Sequence, residues 1–266
     1  LKYWVKACNI DGYRCDVAAM VPTEFWNYVR SELEKLKPVF LLAEASEPEL
    51  HESAFDMTYN WQLKDIMNRM GEGDNNVLDL IKHFEIEKEE YPPDAFRMTF
   101  TTNHDENSWN GTVFDRLGKG VEAFAVLTGT VPGMMLIYSG QEAGLDKPLK
   151  FFEKDRIEWK DHKLTEIYSK LLELKRDNKA LWNGSKGGEI KTLSNNKSNS
   201  VLAFVREKDE NQVVSVFNFS PEMNSVNINN KGLEYSYTEL FTGVKFDLKV
   251  DTEFELEPWS YLVLYK

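Results

Sequence analysis

Cysteine is scarce in this chain: Cys8 and Cys15 are the only two in 266 residues, and their spacing makes neither a disulfide framework nor a metal site. Histidine is nearly as sparse. His51, His83, His104 and His162 are scattered, and none forms the helical pair that a zinc site would use. Basic charge is in deficit, with 32 Lys and Arg against 44 Asp and Glu. A net charge of −12 argues against a nucleic-acid partner and against an anionic substrate, and leaves uncharged ones open. No run of about twenty apolar residues occurs, so no membrane span is expected. A secretory signal is missing too, but Leu1 does not look like a natural start, and the compartment stays open.

What is present is concentrated at three strand ends. Ile10-Asp11-Gly12-Tyr13-Arg14-Cys15-Asp16, Leu42-Ala43-Glu44 and Phe100-Thr101-Thr102-Asn103-His104-Asp105 each run from a short apolar stretch into an ionisable group. Buried parallel strands that deliver side chains to a common site at their carboxyl ends have this pattern. On such a strand Arg14 and Asp16 share one face, which turns Cys15 to the other as a small buried thiol. Aromatic residues make up 13% of the chain, most of them core and a minority free to stack on flat ligands.

Strands and helices alternate along the first two thirds. An uncapped amphipathic helix is expected over residues 1–8, with Tyr3, Trp4 and Ala7 on one side, followed by a strand at 10–16. Thr23 is the expected N-cap of a helix running to Leu36. Pro38 precedes a strand at 39–43, and 55–59 is a shorter one. A helix over 61–70 should end at Gly71; another carries Val77, Leu78, Ile81 and Phe84. Strands at 96–102 and 134–138 flank a helix at 119–128, and a last helix covers 164–175. This alternation predicts a parallel sheet with outer helices. After about Asn183, turns rich in Asn, Ser and Gly separate short alternating strands at 202–206, 213–219, 225–228, 235–241 and 261–264. They predict an antiparallel β-sandwich, giving domains at 1–182 and 183–266.

The three strand ends resemble those of the α-amylase family of glycoside hydrolases. Gly12-Tyr13-Arg14-Cys15-Asp16 is similar to its second signature, Glu44 to the acid/base glutamate of its third, and Phe100 with Asn103-His104-Asp105 to its fourth. Ile137-Tyr138-Ser139-Gly140-Gln141-Glu142 resembles its eighth-strand segment. The resemblance implies a (β/α)8 TIM barrel, of which this chain holds only about five strands, followed by the β domain. A full barrel needs about 250 residues, more than residues 1–182 supply. We therefore expect a piece of a longer enzyme, or a barrel completed by its N-terminal remainder.

Retaining hydrolysis of a glycosidic bond needs two carboxyl groups about 5–5.5 Å apart, one nucleophilic and one proton-donating. Arg14 on the same face favours an ionised Asp16, the nucleophile candidate. The apolar setting of Glu44 favours its protonated form, as acid/base. Asp105 would grip sugar hydroxyls and favour the distorted ring, and His104 could donate a hydrogen bond to the same sugar. Asn103 and Trp109 complete the substrate-binding candidates. The resemblance implies the same roles for the three acids, and an α-glucan as substrate. Duller readings stand beside these: an Arg14–Asp16 structural ion pair, Glu44 as a loop acid, Asn103-His104-Asp105 as a helix-capping turn, Trp109 as packing. The segment 146–155, with Lys147, Lys150 and Lys154, is a substrate-facing loop or a solvated one. Ala19 and Met20 stand where many family members carry Lys-His, so no cofactor is certain; calcium stays open for the full-length enzyme. Transglycosylases or sugar isomerases on this scaffold, and a silent carbohydrate-binding fragment, are the alternatives.

Overall fold

The computed structural model describes residues 1–250 and 252–266. Five strands, β1 (Gly12–Cys15), β2 (Phe40–Ala43), β3 (Met57–Tyr59), β4 (Phe96–Thr99) and β5 (Met134–Met135), lie side by side in chain order. All four pairings are parallel. Helices α1 (Lys2–Cys8), α2 (Thr23–Glu34), α3 (Trp61–Glu72) and α4 (Val77–Glu90) belong to the connections, with α5 (His104–Trp109), α6 (Val113–Leu117) and α7 (Val121–Thr130) between β4 and β5. Helix α8 (Lys163–Asp177) closes this part. The expected partial barrel is borne out, although β4 and β5 are shorter than anticipated. Past β5, Leu136 N–H still donates to Thr99 O at 2.9 Å. Tyr138 N–H then turns to the Gln141 side chain at 3.1 Å, which takes the chain out of the sheet.

The helices differ from expectation in several details. Thr23 lies inside α2, whose N-cap is Pro22 without a side-chain hydrogen bond. Gly71 lies inside α3, where an added Cβ would fall 2.5 Å from Arg116 O; Gly73, at φ +89, ends the helix. On α1 only Val5 is buried, while Tyr3 and Trp4 face outward. Cys15 is buried beneath α2, with Trp26, Val29 and Leu33, as its strand position predicts.

The remainder is antiparallel. Strands β6 (Ile190–Thr192), β7 (Val201–Lys208), β8 (Asn211–Asn218), β9 (Asn224–Asn227), β10 (Ser236–Glu239), β11 (Lys245–Asp247), β12 (Glu253–Leu256) and β13 (Tyr261–Tyr265) follow one another. Six form a sheet in the order β11-β10-β13-β8-β7-β6, and β12 pairs with β9 beside it. The first six residues of β7 are all buried, not alternating with exposed ones. Val201, Ala203 and Val205 pack on Val226 and Phe254, whereas Leu202 and Phe204 join the cluster of Phe124 and Leu171. A sheet covered on both faces needs apolar residues on both. Among the described residues no helix is long and apolar enough to cross a membrane.

Candidate active site

The first two acids come together through strand register. Arg14 lies opposite Leu42 and Cys15 opposite Ala43, so Asp16 and Glu44 follow at the carboxyl ends of adjacent strands. Gly12 permits this closeness, since an added Cβ would meet Phe40 O at 1.8 Å. The ladder continues past the strands: Glu44 N–H donates to Cys15 O at 2.9 Å. Val17 then adopts φ +44, a conformation that β-branched residues seldom tolerate. In that turn its N–H donates to Glu44 Oε2 at 2.8 Å.

Arg14 ties the group together. One guanidinium nitrogen contacts Asp16 Oδ1, the other lies 2.6 Å from Glu44 Oε1, and Nε donates to the Tyr59 hydroxyl at 3.3 Å. Partial burial works against the Arg14 charge; hydrogen bonds to Tyr59 and Asp16 and the field of Glu44 outweigh it and raise its pKa. Glu44 therefore differs from the apolar setting that its sequence neighbours suggest. Register brings it against the same fork that holds Asp16, so the two carboxylates share one cation. They differ mainly in access: the Asp16 side chain is 74% exposed and that of Glu44 only 17%.

Tyr59 is buried and packs against Arg14. It stacks on Trp61 with centroids 5.0 Å apart, and Phe100 meets both rings edge-on. Burial raises the Tyr59 pKa, Arg14 opposes this, and the Glu44 and Asp105 carboxylates raise it further. Asp105 thus lies within electrostatic reach of Tyr59, the residue whose hydroxyl Arg14 holds. It also acts on Tyr138, whose pKa rises first through burial. The sequence reading missed both tyrosines as site residues. For Tyr59 a signal was available, since it ends a strand at the same edge as Asp16 and Glu44.

Asp105 sits in the first turn of α5, with His104 Nε2 3.3 Å from Oδ2. Asn103 is 1% exposed; its Oδ1 caps α5 by accepting from Asp105 N at 3.0 Å and Glu106 N at 2.8 Å, while Nδ2 has no partner among the described residues. Trp109, at the far end of α5, is 60% exposed and packs on Phe151 and Phe152. Ala19 and Met20 lie in a short 3-10 turn and offer no side-chain oxygen. Among the described residues no group of three or more His, Cys, Asp or Glu is placed to hold a metal ion.

Residues 1–231 match the family described as alpha amylase, catalytic domain. Alpha-amylase 2 of Dictyoglomus thermophilum is 24% identical over 261 residues, covering 91% of this chain and 44% of that protein. Maltogenic alpha-amylase of Bacillus acidopullulyticus is 27% identical over 234 residues, covering 82% and 39%. The chain thus spans less than half the length of these two relatives. A noncanonic maltogenic alpha-amylase from Thermotoga neapolitana shares the fold with a TM-score of 0.87 at 23% identity, over 99% of this chain and 63% of that one. With its parallel strand ends and this family match, the chain belongs to the alpha-amylase family of glycoside hydrolases.

Proposed function

We propose that the protein containing this chain hydrolyses α-glucans with retention of configuration, through a double displacement at Asp16 and Glu44. The carrying observation is the single Arg14 guanidinium touching both carboxylates at the ends of neighbouring parallel strands. Two acids that share one planar cation are close enough for one anomeric carbon to lie between them. In the first step an Asp16 oxygen attacks that carbon while Glu44 gives a proton to the departing glycosidic oxygen. The covalent sugar ester then reacts with water, Glu44 takes the water proton, and Asp16 is released. Asp105, in the first turn of α5, favours the oxocarbenium-like ring, and His104 orients a hydroxyl beside it. Residues 1–182 carry this site and residues 183–266 support it as a separate β domain.

Glu44→Gln in the full-length protein tests the assignment. Turnover of maltoheptaose should fall by about 10²–10⁴-fold, the usual contribution of a positioned proton donor. The first product, followed by proton NMR, should be the α-anomer. Unchanged turnover would remove Glu44 from the chemistry, a β-anomer would exclude the covalent ester, and a constant number of reducing ends would mean transfer to sugar in place of water.

A further inference from the structure

A strip of aromatic rings leads away from Asp105 through its neighbour His104. His104 faces Phe151 in a stacked arrangement, centroids 6.1 Å apart and planes inclined by 23°. Phe151 touches Trp109 at 5.1 Å and Phe152 at 4.8 Å. These rings are not covered: Trp109 is 60% exposed, Phe151 41% and Phe152 84%. Three large apolar side chains side by side at the surface of a chain with net charge −12 make a patch that calls for an occupant.

The loop carrying Phe151 and Phe152 is held from both sides. Asn107, 2% exposed on α5, donates to Lys147 O at 3.2 Å and accepts from Leu149 N at 2.8 Å. Ser108 donates to Leu149 O at 2.8 Å. Asp155 closes the other flank by accepting from Lys147 Nζ at 2.5 Å, Lys150 N at 3.1 Å and Arg156 N at 2.8 Å. A surface fixed in this way loses little further freedom when a ligand lands on it. Two of its lysines are spent internally, Lys147 on Asp155 and Lys150 on Glu153. The exposed apolar rings beside them suit an uncharged ligand.

We propose that Phe151 and Phe152, together with Trp109, form a stacking subsite for a neutral glucan chain running outward from His104 and Asp105. This rests on the hydrolase reading above and adds where substrate length is sensed. A glucosyl ring presents C–H groups on its faces and hydroxyls around its edge. An exposed aromatic face can therefore bury the apolar side of the sugar while water keeps the hydroxyls. The strip starts at His104, which contacts Asp105, so a chain bound at Asp105 would have these rings next to it.

The test is calorimetric titration of the full-length protein, in a Glu44→Gln background that keeps the sugar intact, with maltoheptaose and with maltose. Replacing Phe151 and Phe152 together by Ala should weaken maltoheptaose binding about tenfold and leave maltose within about twofold. Replacing both by Tyr, which keeps the rings, should preserve binding of the long ligand. Equal weakening of both ligands, unchanged maltoheptaose binding, or a Tyr pair as weak as the Ala pair would each overturn the proposal. The two readings fail separately. Length-dependent binding in a protein whose unsubstituted form turns over no glucan would sink the hydrolase and keep the subsite; turnover without that length dependence would do the reverse.

Discussion

At the scale of single residues, Arg14 decides the geometry of the proposed site. Its planar fork serves Asp16, Glu44 and Tyr59 from three different nitrogens. A lysine in its place carries one compact ammonium and cannot bridge two carboxylates while also reaching the phenol. Arg14→Lys should therefore lower kcat/KM on maltooligosaccharides by about 10²-fold or more, because acids that lose their alignment lose the benefit of proximity. Steady-state kinetics on the full-length protein measures this, and an unaltered kcat/KM would mean that the bridge is ornamental. Half of the contact was legible from residue spacing. Arg14 and Asp16, two apart on a strand, had to share a face. The approach of Glu44 depends on which residue of β2 lies opposite Cys15, and no local pattern reveals that.

At the scale of elements, the short helix α5 presents Asp105 toward Tyr59 and Tyr138 and Asn107, Ser108 and Trp109 to the aromatic loop. Six residues, His-Asp-Glu-Asn-Ser-Trp, carry no apolar periodicity, so the helix itself was not readable. Its start was, because Asn and Asp favour capping turns, and Asn103 Oδ1 does accept from two backbone amides there. Asn103→Ala should cost about 1 kcal/mol and lower the melting temperature by about 2–4 °C. Asn103→Ser, which keeps a capping oxygen, should recover most of that loss. Scanning calorimetry of the three proteins decides the matter: a Ser variant no better than Ala would show that the amide matters for something other than the cap. The exchange of Gly71 for Gly73 at the end of α3 has a similar cause. Two nearby glycines look alike in sequence, and only Gly73 takes the left-handed φ while Gly71 is squeezed against Arg116.

At the scale of the whole molecule, Arg206 fastens the antiparallel sheet to the parallel part. It is 1% exposed and donates to four carbonyls: Gly188 at 2.9 Å, Thr130 at 3.1 Å, Val131 at 3.0 Å and Trp182 at 2.9 Å. Burial pulls its pKa down to about 9. The charge persists because so many oxygens point at it. Arg206→Met fills similar volume but strands those oxygens, and should cost about 3 kcal/mol or more, read as a lower midpoint in urea denaturation. An unmoved midpoint would mean that water replaces the guanidinium at no loss.

The sequence alone determined the order of the main elements, the parallel-then-antiparallel division and the acidic groups that follow β1 and β2, since all of these rest on short-range periodicity and on which side chain follows an apolar run. Tertiary structure decided what periodicity does not encode. It decided the register that sets Glu44 beside Asp16, the second covering that buries both faces of β7, and the docking of a loop that places Phe151 beside His104. Each of these joins residues far apart in the chain, and such contacts are chosen by packing of the entire fold, where local preference is silent.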